Sequence, residues 1–355
     1  MVMQRDNILN LQTAKIILLT DGRPGHMTQS EGVARLLQHT QNLQIEWLQI
    51  RHLQKWQKKI SRFCVNYLDL SRYLASVIHL PTAMDWQNVA YVVSAGADTL
   101  LANVLLTRYL RQQHIQVQNI ALSSLHGIHA KHFDVVFTID AAKAHVPHYL
   151  YYPLSPNKMT ARDFDIAQLK QTWQVDRIIT VCIGANIDGL NIGSAKVWGE
   201  YIQALKQNFP QHQLYISTSR RTPQHFEQQL KMILHEVLHE QDHLFLYSEQ
   251  QVNVAELFAM ADFVVLSQDS GSMISEAVMA AQKTLVIQPI GKYQHVVMQK
   301  FLQQLQQQQA IALWHHPQQN LHAMLQSVRI QKHSANLHQA LSKHLGLLEK
   351  VSHVA

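Results

Sequence analysis

Asp269-Ser270-Gly271-Ser272, with Glu276 one helical turn beyond, is the stretch of this sequence best suited to hold an anion. It follows the apolar run Phe263 to Leu266 and precedes Met273, Ile274, Ala277, Val278 and Ala281, which recur at helical spacing; a second apolar run, Thr284 to Ile287, comes next. The spacing predicts strand, turn, helix and strand, and therefore a parallel pair with a ligand-binding turn at the carboxyl end of its first strand. Unpaired N–H groups and the macrodipole at such a helix start favour an anion such as a diphosphate. Glu276 is too close to bind phosphate but is placed to accept hydrogen bonds from ribose hydroxyls. The same residues also read as an ordinary N-cap at Ser270 or Ser272 with a favourable first-turn charge at Glu276.

A second group with acid and base chemistry follows the first predicted strand, Lys15 to Thr20: Asp21-Gly22-Arg23-Pro24-Gly25-His26-Met27-Thr28-Gln29-Ser30. Glycine and proline forbid regular structure there, and Val33, Leu36 and Leu37 resume at helical spacing, so a tight turn presents Asp21, Arg23 and His26 at the edge of a sheet. In a chain with 23 histidines, His26 is equally a surface loop residue. A third group, Thr218-Ser219-Arg220-Arg221-Thr222-Pro223, pairs two guanidinium forks with hydroxyls, a combination suited to phosphate oxygens or simply to a basic surface.

The elements that must position these turns follow one rhythm. Predicted strands at Ile45 to Leu48, Val89 to Ser94, Asn119 to Leu122 and Val135 to Ile139 end in polar turns such as Gly96-Ala97-Asp98, Ser123-Ser124, His126 and Asp140, with a helix over Leu100 to Leu110. Tyr151 to Gln174, with Pro153 and Pro156, breaks the rhythm and reads as the crossing between domains. A second series runs from Arg177 to Ile183 into Gly184-Ala185-Asn186-Ile187-Asp188-Gly189 and a helix over Val197 to Phe209. Strands at Gln213 to Ser217 and His243 to Tyr247 and a helix over Val254 to Ala261 complete it. Val297, Phe301, Leu302 and Leu305 keep a helical pattern through the glutamine-rich stretch, and Leu337, Leu341, Leu345 and Leu348 mark a last amphipathic helix. The expected class is α/β, two doubly wound Rossmann-like domains at 1–155 and 176–320 facing across a cleft, with helices at 321–355 packing back on the first domain.

Composition agrees with a packed globular chain: 355 residues, 47% hydrophobic and 15% charged. Lys and Arg exceed Asp and Glu by 30 to 24, a net +6 that points to an anionic partner. Two isolated cysteines, Cys64 and Cys182, offer neither a disulfide framework nor metal-ligand spacing, which fits a reducing cytoplasm. No signal peptide and no apolar run of about 18 residues is legible. One segment stands out. Arg51, Lys55, Lys58, Lys59 and Arg62 with Trp56 and no acid precede Phe63 to Leu80, where Tyr67, Leu70, Leu74 and Val77 recur at helical spacing. It reads either as a basic amphipathic surface for an anionic membrane, nucleic acid or a partner helix, or as a core-facing helix with a solvated basic face.

Together the turns at Asp21 to Gln29, Thr218 to Pro223 and Asp269 to Ala277 resemble the mitochondrial fission Elm-type family, which includes many bacterial members. The resemblance spans most of the chain in the family's order. It implies a GT-B glycosyltransferase-like fold whose N-terminal domain holds an acceptor and whose C-terminal domain holds a nucleotide sugar. The Gly-rich, His-containing first turn is also similar to that of the transferase that makes lipid II. Two turns depart from the pattern: Gly184-Ala185-Asn186 replaces an expected Gly-Gly-Pro, and Gly96-Ala97-Asp98 stands where basic residues are expected.

What the resemblance implies is a glycosyltransferase that moves a sugar from a nucleotide sugar to a cell-envelope glycolipid resembling a lipopolysaccharide or lipooligosaccharide core. It would work without metal or cofactor, since no Asp-x-Asp motif accompanies these turns, and nucleic acid would be no partner. Ser219, Arg220 and Arg221 would hold the diphosphate with Gly184, Asn186, Ser270, Gly271 and Ser272, and Glu276 the ribose. His26 would take the acceptor proton with Asp21 orienting it, or Asp21 would itself be the base; Arg23, Gly25 and Gln29 would lie on the acceptor side. Arg51 to Leu80 would bring the protein to the cytoplasmic face of an anionic membrane as a peripheral protein. A catalytically silent membrane-associated scaffold and a nucleotide-sugar epimerase share the fold and are the alternatives.

Overall fold

The protein is described from a computed structural model, which covers residues 13–81, 85–159, 164–289 and 295–347. It divides into two compact units, residues 1–158 with 337–355, and residues 159–336.

The first unit carries a six-stranded sheet of β1 (Ala14–Thr20), β2 (Leu43–Gln49), β3 (Val89–Ala95), β4 (Gln118–Leu122), β5 (Val135–Thr138) and β6 (Tyr149–Tyr151). Its order is β2-β1-β3-β4-β5-β6, and every pairing is parallel. The sequence requires this: Ile16, Ile17, Leu18, Val92 and Val93 are all fully buried, so both faces of the central strands need cover, and crossover helices supply it. α1 (Pro24–Gln38), α3 (Leu74–Val77) and α4 (Leu100–Gln112) bury apolar residues in this way, whereas α2 (Lys55–Cys64) buries none.

The second unit repeats the plan with α5 (Ile166–Trp173), β7 (Ile178–Ile183), α6 (Ala195–Asn208), β8 (Gln213–Thr218), α7 (Gln224–Leu234), β9 (His243–Phe245) and α8 (Val254–Met260). After these come β10 (Phe263–Ser267), α9 (Gly271–Met279), β11 (Thr284–Ile287), α10 (Val296–Gln307), β12 (Ala312–Trp314) and α11 (Leu321–Ser327). Its sheet is ordered β12-β11-β10-β7-β8-β9, again parallel throughout. Trp198, Tyr201 and Trp314 fill the core on one face, with Tyr201 set edge-on against Trp314 at 4.7 Å between centroids. A last helix, α12 (His333–His344), buries Leu337 and Leu341 completely; Leu345 is buried just past its end, and Leu348, the fourth of the leucines expected on it, lies outside the described residues.

In each sheet the strand order reverses at one place. That place lies between β1 and β3 in the first unit and between β7 and β10 in the second. Loops leaving adjacent strands there run to opposite sides and open a crevice, where open α/β sheets bind ligands.

The expected α/β class is what the structure has, and the ten strands read from the sequence all form. Two further strands, β6 and β12, are three-residue sheet edges. Each is too short for an alternation or an apolar run to register. The helical spacing from Tyr67 to Val77 is not one helix. Leu74 and Val77 enter the core from α3, whereas Tyr67 points to solvent beyond the end of α2. Among the described residues no helix is long and apolar enough to cross a membrane.

Candidate functional site

The first site forms where β1 and β3 end. Asp21 leaves β1 with its carboxylate 1% exposed, and its Oδ1 accepts a hydrogen bond from the Arg23 backbone N–H at 3.1 Å. Glycine and proline do not keep the whole stretch irregular as expected: Pro24 is the first position of α1, without a side-chain cap, so Gly25 to Ser30 are helical and His26 stands in the first turn, because proline's fixed φ suits a helix start. His26, two residues on, turns its Nδ1 to within 2.9 Å of Asp21 Oδ2. A carboxylate there accepts from Nδ1–H, so Nε2 carries the lone pair. No described residue bonds to Nε2, and the ring is 27% exposed. An imidazole held in one tautomer by a buried carboxylate, with its other nitrogen open, is built to take a proton.

The end of β3 supplies the other wall. Gly96 has φ +86°, and a Cβ there would lie 2.3 Å from both Nδ1 and Cε1 of His26. The ring thus rests on the Gly96 backbone, and its neighbour Asp98 anchors α2. Burial works against the Asp98 charge, but Lys58 at 2.8 Å, Arg62 at 3.4 Å and nearby Arg23 outweigh it and hold the carboxyl below its usual range.

Arg23 is largely exposed and lies 3.6 Å from Asp21, while Gly25 has open space at its Cα. Gln29, one turn after His26, lines a cavity of about 210 Å³ at the ends of β4 and β5. Ser123, Ser124, Thr138, Lys143 and Tyr152 share that cavity. Lys143 and Tyr152 were not legible in the sequence as site residues; Lys143 sits over the Tyr149 ring at 4.9 Å, and only the third dimension brings β6 and its flanks beside α1.

The second site forms where β7, β8 and β10 end, and its centre is Asp269, whose side chain is fully buried. Its Oδ1 accepts from Ser267 Oγ at 2.6 Å, and its Oδ2 accepts from Arg221 Nη2 at 2.7 Å and the Ala185 N–H at 3.2 Å. Gly184 donates its N–H to Ser267 Oγ, and a Cβ on Gly184 would meet both Asp269 oxygens at 2.3 Å. Thr222 closes the ring: its hydroxyl reaches the Gly184 carbonyl at 2.7 Å and Ser219 Oγ at 3.1 Å. One carboxylate therefore ties three strand-end turns together.

This fixes the two arginines differently. Arg221 is committed to Asp269, whereas Arg220 is exposed and makes no ion pair with any described residue. Ser270 is the N-cap of α9, its Oγ accepting from Met273 N at 3.4 Å, with Ser272 Oγ exposed 3.5 Å away. The capping role is thus the observed one, and a cap satisfies one N–H of the first turn while others stay without a partner inside the helix. Glu276 lies partly buried on α9; burial, reinforced by the Glu276 charge, raises the Cys182 thiol far above its usual range. Asn186 is exposed, and its side-chain oxygen accepts from Ile192 N at 2.8 Å, so it shapes its own loop.

Sequence reasoning placed Asp269 in the turn without giving it a role, and it passed over Glu227. That buried carboxylate accepts from the hydroxyls of Thr218 and Ser248 and from the Tyr247 N–H at 3.0 Å, so it fixes the turn after β9. A charged residue in an otherwise unmarked helix start gave no signal. Among the described residues no group of three or more His, Cys, Asp or Glu side chains could hold a metal ion.

The family model for mitochondrial fission ELM1 matches residues 24–338. The chain belongs to that family. Membership spans both units and all three turns singled out in the sequence except Asp21 to Arg23, which lie just ahead of the match. No curated protein matches the chain. Among solved structures, UDP-GlcNAc 2-epimerase from Methanocaldococcus jannaschii is similar at 12% identity with a TM-score of 0.52, over 93% of this chain and 99% of that one. The MnaA–UDP structure from S. aureus gives 11% and 0.45 over 94% and 98%. ADP-heptose LPS heptosyltransferase II from E. coli gives 12% and 0.43 over 95% and 99%. The likeness to the first establishes the fold: this family member has the two-domain α/β architecture of GT-B type.

Proposed function

We propose that this ELM1 family member is a glycosyltransferase that uses a nucleotide sugar and a glycolipid acceptor of the cell envelope. The observation that carries the reading is the Asp269-centred junction at the β7/β10 switch point. Through Arg221 and Asp269 it ties the turn that carries the exposed Arg220 to the turn that opens α9. In this reading Arg220, Ser219 and the first turn of α9 meet the diphosphate, Arg221 holds Asp269 and lends its remaining N–H groups, and Glu276 accepts from the ribose. Charge developing on the departing diphosphate is met by guanidinium and helix dipole.

In the first unit, His26 Nε2 removes the proton from the acceptor hydroxyl while Asp21 stabilises the imidazolium that results. Gln29 and the hydroxyl-lined cavity next to it bind the acceptor's sugar. The acceptor's lipid places the protein at the inner face of the cytoplasmic membrane.

Calorimetry with nucleotides and nucleotide sugars tests the donor half, and product analysis after incubation with a bound donor tests the reaction. Binding followed by transfer to a lipid-linked sugar is the expected result. Conversion of the donor to its epimer without an acceptor would make the protein an epimerase, and no binding to any nucleotide would leave a scaffold.

A further inference from the structure

α2 is amphipathic in the wrong sense for a helix on the surface of a water-soluble protein. Its inner edge is polar: Lys58 and Arg62 reach Asp98, and Arg62 also donates to the Ala97 carbonyl at 2.8 Å. Its outer face carries Trp56, Ile60 and Phe63, 53% to 65% exposed, at the i, i+4, i+7 spacing of a single stripe. The stripe runs on past the helix end into Tyr67 and Leu68, 67% and 55% exposed, and no residue of α2 is buried. Phe63 and Tyr67 rings lie 5.3 Å apart, and Tyr67 meets His129 edge-on at 5.8 Å, so the aromatic groups are braced. Scattered apolar residues on a surface are normal; a contiguous patch of this kind marks an interaction site.

Charge and shape indicate the occupant. Lys55 and Lys59 are exposed beside the stripe, and Arg72 stands over the Tyr73 ring at 4.8 Å. Asp69 is the only acid between residues 51 and 81, and it is engaged by the Ser71 N–H and Gln112. An apolar groove of about 430 Å³ opens along the same face, lined by Ile60, Leu68, Leu70, Tyr73, Leu101 and Leu105. Aromatic side chains flanked by lysines, beside an apolar groove, match the layered chemistry of an anionic leaflet.

We propose that the outer face of α2 and the turn after it form a docking surface for an anionic lipid bilayer. Trp56, Ile60, Phe63 and Tyr67 enter the acyl boundary, Lys55 and Lys59 meet the headgroups, and the groove takes a hydrocarbon chain. Through Lys58, Arg62 and Asp98 the surface is fastened to the turn whose Gly96 supports His26, so docking brings the proton-accepting site to the membrane. The surface deepens the acceptor half of the function proposed above, but its test needs neither donor nor acceptor.

The full chain is sedimented with phosphatidylcholine vesicles with and without phosphatidylglycerol, over a salt series. Binding to the anionic vesicles is expected, weakening as salt rises. Lys55→Gln with Lys59→Gln lowers the partition coefficient about 25-fold, at about fivefold per lysine. Trp56→Ser with Phe63→Ser lowers it by about 100-fold or more even at low salt, while Met232→Ser, an equally exposed apolar residue on α7, leaves it unchanged. Brominated lipid quenches wild-type fluorescence more than that of Trp56→Phe. Equal thermal midpoints of all variants establish that each is folded. Absence of wild-type partitioning overturns the proposal, as does full partitioning of the Trp56/Phe63 variant. A wild-type dimer that the Trp56/Phe63 variant abolishes, without vesicle binding, makes the face a self-association interface instead.

Discussion

Gly96→Ala is the sharpest perturbation of the first site, because its two costs separate. The residue sits at φ +86°, where a Cβ costs about 1–2 kcal/mol of backbone strain. The new methyl would also lie 2.3 Å from Nδ1 and Cε1 of His26, well inside contact distance. The ring can withdraw only by giving up its 2.9 Å bond to Asp21, so overpacking adds about 1–3 kcal/mol. The single variant should lose about 2–5 kcal/mol in a urea titration of the first unit. His26→Ala removes the ring, so in the Gly96→Ala/His26→Ala double variant only the strain remains. The two changes are then non-additive by about 1–3 kcal/mol, with the double variant more stable than the sum of the singles. Additivity within about 0.5 kcal/mol would refute the reasoning, because it would mean that Gly96 does not support the imidazole.

Arg220→Ala should weaken nucleotide diphosphate binding by about 10- to 100-fold in calorimetry, the worth of a charged hydrogen bond, with no change in thermal midpoint. Asp269→Ala should instead lower the midpoint, because it strands the buried Ser267 hydroxyl and Ala185 N–H at about 1–3 kcal/mol each; equal effects of the two variants on binding and stability would count against the division of roles. In the native protein, half-buried Cys64 should react with a thiol reagent and Cys182 should not, since burial and Glu276 keep its thiol protonated, and both should react once the chain is unfolded. His132 is held down to about 4 by burial, then by Arg108, Lys131 and His129, and burial also lowers His212, His333, His338 and His344. The unfolded chain therefore binds more protons than the native one between pH about 4 and 6.5, so stability should rise with pH across that window and level off above it. His132→Gln should flatten the slope, and a urea midpoint constant across the window would exclude the effect.

Strand-and-turn rhythm was legible because a doubly wound sheet buries both faces of its central strands. Runs such as Ile16 to Leu19 and Val264 to Leu266 are then continuously apolar, and glycine, proline and hydroxyl residues follow where the chain must turn. The same local chemistry singled out Asp21, His26, Arg220 and Ser270 as candidates, and the three turns together pointed to the family. Local pattern could not say which strand lies beside which. That β1 neighbours β3, and β7 neighbours β10, decides that Gly96 meets His26 and that Asp269 meets Gly184 and Arg221. Residues about 50 to 85 positions apart in sequence are brought within contact distance there, and no periodicity encodes such a pairing.

The basic segment shows the same division. Its composition was plain from Arg51 to Leu80, but spacing alone fits a helix with lysines out and aromatics in as well as the reverse. Asp98, contributed by the turn after β3, draws Lys58 and Arg62 inward and so turns Trp56, Ile60 and Phe63 outward. The sequence by itself determined which residues could act and at which strand ends. Only the tertiary structure decided their partners, because a carboxylate's choice between arginine, lysine and imidazole depends on what the folded sheet brings within about 3 Å of it.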